Sequence, residues 1–130
     1  MKKGFTLVEL LAIIMVLAVL ALIITPIVSS TITKSKKNAY DNQVRTLKIA
    51  AESWGIDNKL LLPEEENDFL ELTIEDLKKE NYIDIDIKNP LTGKCISNAM
   101  KIKIIREKNR YVYEIDGDII DGTNVDCTID

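Results

Sequence analysis

From Phe5 to Val28 the sequence runs FTLVELLAIIMVLAVLALIITPIV, 24 residues with a single charge, Glu9. Nothing else in the chain limits its fold as strongly. As a helix this run reaches ~36 Å at ~1.5 Å per residue, enough to cross a hydrocarbon core of ~30 Å. An ordinary secretory signal has a basic start, an apolar core of ~7–15 residues and a small-residue cleavage site. Lys2 and Lys3 supply the basic start, and Val28-Ser29-Ser30 offers a cleavage-like end. The apolar core is too long for such a signal, so a spanning helix is the expectation and a generic signal or anchor the alternative.

What must fold in water is therefore about a hundred residues, a size at which a domain buries about 60–65% of its unfolded surface and gains from a covalent staple. Residues 31–130 hold 15 Lys+Arg against 20 Asp+Glu, and this acidic balance disfavours broad nucleic-acid binding. The chain has no histidine, which removes His-based general bases, triads and zinc-protease sites. Two cysteines without histidine partners do not make a structural zinc site, and no phosphate-cradling glycine loop occurs. The expectation is a protein that is not an enzyme and carries no cofactor and no metal.

Glu9 sits inside the apolar run, where a carboxylate costs several kcal/mol, so an intramembrane acid reads as functional. No basic residue lies nearby to pair with it. The segment K-K-G-F-T-L-V-E at 2–9, followed by an apolar helix containing Pro26, resembles the class III signal of type IV pilins and pseudopilins. The resemblance implies that a membrane aspartyl prepilin peptidase cuts between Gly4 and Phe5 and methylates the new amine of Phe5. It implies that Glu9, with that Phe5 amine, serves filament assembly and that Pro26 kinks the helix. It also implies an assembly platform and a motor ATPase as indirect partners, and membrane lipid before assembly. Many relatives carry a glycine at the position of Ala18. Alanine is the better helix former by ~1 kcal/mol, so melting between Ala18 and Pro26 is less expected here. Lys2 and Lys3 are balanced by Lys34, Lys36 and Lys37 beyond the apolar run, so a cytoplasmic amino terminus rests on the leader motif rather than on charge.

The expected organisation is a leader at 1–4, a transmembrane and assembly helix at 5–28, its amphipathic continuation at 29–58 and a globular head at 59–130. Tyr40, Val44, Leu47, Ala51 and Trp54 form one helical stripe, expected to pack against the head. Gly55 to Asn58 is the expected stop, with Pro63 beyond. The KSKK run at 34–37 reads as a solvated or headgroup-facing collar, with a DNA contact as the sharper alternative. In the head, EEEND at 64–68 reads as a loop. Thr73 caps a short helix through Asp76, Ile74 and Leu77. IDIDI at 83–87 suits an extended segment, and NPLTG at 89–93 a turn. Residues 100–107 and 110–116 read as an antiparallel hairpin, while GDIIDG and VDCTI could add one or two strands. The fold class is α+β: a long amino-terminal helix, hydrophobic then amphipathic, packed on a small antiparallel sheet.

If the head is exported, Cys95 and Cys127 meet an oxidising setting in which two cysteines usually pair. The alternative is two buried free thiols. A closed loop of about 32 residues would stabilise by ~3–4 kcal/mol on the chain-entropy model. Asp116, Asp118, Asp121 and Asp126 miss the EF-hand spacing and read as turn-forming residues. The function expected is a structural subunit of a type IV pilus-like filament, homopolymeric or mixed, stored in the cytoplasmic membrane and then displayed on the cell surface. The alternatives are a pseudopilin of a type II secretion or DNA-uptake fibre, or a membrane-anchored extracellular binding module.

Overall fold

The computed structural model describes residues 4–128. The chain divides into two compact units, one ending at Lys36 and the other beginning at Lys37. A single helix, α1 (Leu7–Asp57), contributes to both.

In the first unit, Thr6 is the cap of α1: its carbonyl accepts from Leu10 N at 3.1 Å. Leucine, alanine, isoleucine and valine then run on without a glycine, and a helix satisfies their backbone groups internally, as an apolar medium demands. Helical structure continues through Pro26. Hydroxyls on either side of the proline turn back on the helix. Thr25 donates to Ala21 O at 2.6 Å, and Thr31 to Ile27 O at 2.9 Å.

The second unit is α+β. Its sheet has the order β1–β2–β3, with β1 at Phe69–Thr73, β2 at Lys101–Glu107 and β3 at Arg110–Ile115. Both pairings are antiparallel, with Leu72 opposite Ile102, and Ile104 opposite Tyr113. The expected hairpin is β2–β3. Ile102 and Ile104 are buried on one face, while Lys101 is exposed on the other. A short helix, α2 (Ile74–Lys79), follows β1 directly. Its capping box is complete: Asp76 N donates to Thr73 Oγ1 at 3.2 Å, and Thr73 N to Asp76 Oδ2 at 3.3 Å.

The helical stripe of α1 packs as its spacing predicts. Leu47, Ala50, Ala51 and Trp54 join Leu72, Ile74, Leu77, Ile102 and Ile104 in one core, flanked by Tyr40, Val44 and Tyr113. The helix ends at Asp57, inside the expected stop of Gly55 to Asn58, and Gly55 itself has a packing role. It lies in the last turn of α1, where a Cβ would stand 2.8 Å from Tyr113 Oη, so glycine leaves room for the end of that side chain against the helix. Asn58 closes the helix, its backbone N and its Nδ2 each donating to Trp54 O at 2.9 Å.

Three expectations need correction. The third strand is β1, which follows the EEEND loop directly; its five residues, FLELT, are too few for alternation to stand out. IDIDI is not a strand but a turn, with Ile87 N donating to Asp84 O at 3.4 Å. Ile83 and Ile87 are buried while Ile85 is exposed, so burial follows the turn rather than alternation. Around VDCTI the chain forms a 3₁₀ turn at Asn124–Cys127 rather than a strand, capped by Thr123 and Asp126. GDIIDG contributes one isolated bridge, Asp121 to Ile96.

Candidate functional site

The amino-terminal segment is built on the start of α1. Gly4, Phe5 and Thr6 lie outside the helix, and Phe5 is 81% exposed. A Cβ at Gly4 would meet nothing within 4 Å, so any requirement for glycine there comes from outside this chain. Every residue from Gly4 to Ala39 is exposed, including the whole apolar run. Contiguous apolar surface on this scale marks a binding or membrane surface rather than a solvated one. The helix is long and apolar enough to cross a membrane.

Glu9 has local partners that its lack of a nearby cation does not reveal. Thr6 N donates to Glu9 Oε2 at 3.0 Å, and Glu9 N donates to Thr6 Oγ1 at 3.2 Å. This reciprocal pair is a capping box, which satisfies two donors that a helix start otherwise leaves open. The signal was present in the sequence as T-x-x-E at 6–9. Thr6 is thus the residue that the motif reading passed over. The carboxylate is held at the first turn, beside the Gly4–Phe5 bond in sequence, and Oε1 has no hydrogen bond among the described residues. Pro26 lies well along the helix from these groups and joins none of them.

A second cluster fixes the carboxy-terminal region of the head. Cys95 and Cys127 are joined in a disulfide with Cα atoms 5.5 Å apart. Beside it Lys78 of α2 is only 1% exposed, and its ammonium donates to Asn98 Oδ1 at 2.7 Å and to the backbone oxygen of Asp126. Burial pushes the Lys78 pKa down, against the attraction of Asp126. The Asp126 carboxylate accepts from Asn98 N at 2.8 Å and Thr123 N at 2.6 Å, and these bonds hold its pKa below the usual carboxylate value. A buried charge at 78 gave no sequence signal, since it falls in an ordinary KK pair.

The other candidate acids serve the fold singly. Tyr40 donates to Asp118 Oδ1 at 3.2 Å and accepts from Ile119 N at 2.9 Å. Asp121 Oδ1 accepts from Asn89 at 3.0 Å and Thr92 at 2.9 Å. Asp116 lies 3.9 Å from Lys103. Among the described residues, no three acids or cysteines converge on a point that could hold a metal ion.

The fold and the amino-terminal segment together define the class, an α+β protein with an apolar amino-terminal helix suited to membrane anchoring before assembly. Within that class, residues 1–25 match the prokaryotic N-terminal methylation motif, the class III prepilin signal of type IV pilins and pseudopilins. The motif supports a type IV pilin-like or pseudopilin subunit, and implies processing by prepilin peptidase and polymerisation in general terms. No curated protein and no solved structure matches the chain.

Proposed function

We propose that this chain is a structural, non-enzymatic subunit of a type IV pilus-like filament. It is cut between Gly4 and Phe5, methylated at the Phe5 amine and polymerised through its apolar helix. The observation that carries this reading is the junction at the start of α1. An exposed, non-helical Gly4–Phe5 bond precedes a capped Glu9, inside a segment that matches the methylation motif.

Cleavage creates a positive amine about one helical turn from Glu9. In an apolar setting both charges need a counter-charge, because isolated charges are costly there. Glu9 can keep its cap through Oε2 and offer Oε1 to the Phe5 amine of an incoming subunit. That contact is head-to-tail, so addition continues without closing on itself. The pairing fixes the axial register between neighbours, and the apolar side chains around it exchange lipid for protein. Pro26 removes one backbone donor and crowds the carbonyl of Leu22, which makes it the place for the helix to bend during packing.

Mass spectrometry of the mature amino terminus tests the reading. N-methyl-Phe5 is the expected species. An uncut Met1, or a start near Thr31, would replace the pilin reading with an anchor or a cleaved signal. Pseudopilins share the motif, and the fibre type is read from which assembly system, when deleted, leaves the processed subunit in the membrane.

A further inference from the structure

Three lysines, Lys34, Lys36 and Lys37, follow the apolar run on α1 and are all exposed. None of them joins an ion pair among the described residues. From Leu10 to Tyr40 the helix carries no acid, and Asp41, one turn beyond Lys37, makes no ion pair with it among the described residues. At ~100° per residue they leave the axis at about 0°, 200° and 300°, so all three fall within an arc of about 160°, one basic side of the helix. Such a side could meet an anionic protein surface or an anionic lipid surface.

Axial position favours the lipid surface. Leu7 to Val28 covers ~32 Å, the thickness of a hydrocarbon core, and Lys34 stands ~9 Å further on. Helical side chains tilt toward the amino terminus, so the lysine stems reach back toward the bilayer surface. Residues 38–130 hold 12 Lys+Arg against 20 Asp+Glu, so the head itself is repelled by an anionic surface. Attraction is confined to the collar.

We propose that Lys34, Lys36 and Lys37 bind the phosphates of anionic phospholipids in the extracytoplasmic leaflet and so set the depth at which the subunit is stored. This rests on the membrane-stored reading above. The test reconstitutes the full chain in vesicles of phosphatidylcholine with or without phosphatidylglycerol, carrying trace spin-labelled lipid of either headgroup. A Lys2→Gln, Lys3→Gln background removes the other basic end. The expected result is at least a fivefold preference of the protein-contacting layer for the phosphatidylglycerol label, about the share of one lysine. Salt abolishes the preference, as does combined Lys34→Gln, Lys36→Gln and Lys37→Gln, whereas Arg at all three positions keeps it. The proposal is overturned if the chain floats with both vesicles yet shows no preference, or if the Gln variant keeps it. Absence of that preference together with binding of duplex DNA would assign the collar to nucleic acid. Failure to float with either vesicle would instead remove the membrane-stored reading, and the proposal with it.

Discussion

Replacing Glu9 by glutamine separates the cap that its carboxylate makes from the charge pairing proposed for it. Glutamine can accept the Thr6 N–H as glutamate does, so the capping box survives while the charge is lost. Thr6→Val does the reverse, removing the hydroxyl that accepts from Glu9 N and leaving the charge. Loss of the cap costs ~1 kcal/mol, roughly a fivefold effect on any equilibrium that requires the helix start. Truncating one partner of a buried ion pair costs ~3–5 kcal/mol, or roughly a hundred- to a few-thousand-fold. Glu9→Gln should therefore be inserted and processed much as the native chain, yet be nearly absent from fibres. Glu9→Val should match or exceed that defect. Thr6→Val should enter at a level reduced only a few-fold. The assay expresses each tagged variant beside an untagged native copy, shears the fibres and compares tag ratios in fibre and membrane fractions. If Glu9→Gln entered fibres at the native ratio, charge pairing would not drive assembly, and Glu9 would be better understood as the cap and a recognition feature for methylation.

Gly4→Ser should block cleavage, so that uncut chain accumulates in membranes and no methyl-Phe5 is found by mass spectrometry. The head from about residue 30 onward should migrate differently on reducing and non-reducing gels, and reduction should lower its stability by ~3–4 kcal/mol in urea titrations; two free thiols in surface-purified protein would contradict this. Lys78→Met strands Asn98 Oδ1 and the Asp126 carbonyl, and should cost ~2–4 kcal/mol in the same titration despite relieving a buried charge. Because the Asp126 pKa lies below its ordinary 3.8 in the folded chain, its contribution is complete above that value and fades as pH falls through the folded value; Asp126→Asn should flatten this acid-side loss in unfolding midpoints measured from neutral to acid pH.

The long helix was legible because its two halves obey simple rules, an unbroken apolar run and then a 3.6-residue stripe. The β2–β3 hairpin was legible for the same reason, since Ile102 and Ile104 alternate with lysines on the sheet's outer face. Alternation misled at Ile83, Ile85 and Ile87, where a turn buries the outer pair and exposes the middle residue. The stop between Gly55 and Asn58 was legible, whereas the room that glycine leaves at 55 depends on the Tyr113 side chain, far along the chain. At the candidate site, Gly4, Phe5 and Glu9 were carried by a recognisable motif. Thr6 was equally visible as half of a capping box, but a carboxylate in an apolar run drew attention to absent cations rather than present amides. Lys78 was out of reach, because burial of one lysine in a KK pair depends on Asn98 and Asp126 arriving from distant loops.

The hydroxyls that α1 turns upon its own carbonyls at Thr25, Ser30, Thr31 and Thr33 bear on how easily the helix changes surroundings. Each polar hydrogen is satisfied within the helix and asks nothing of the environment. Lipid tails and leucine side chains are about equally apolar, so moving such a helix from bilayer to protein interior is nearly neutral per unit of surface. The transfer is then decided by packing quality and by the few groups that do need a partner, chiefly Glu9 and, once cut as proposed, the Phe5 amine. A small net driving force in one direction is equally small to overcome in the other. If the chain is the filament subunit proposed above, its helix is as well suited chemically to lipid as to a protein interior.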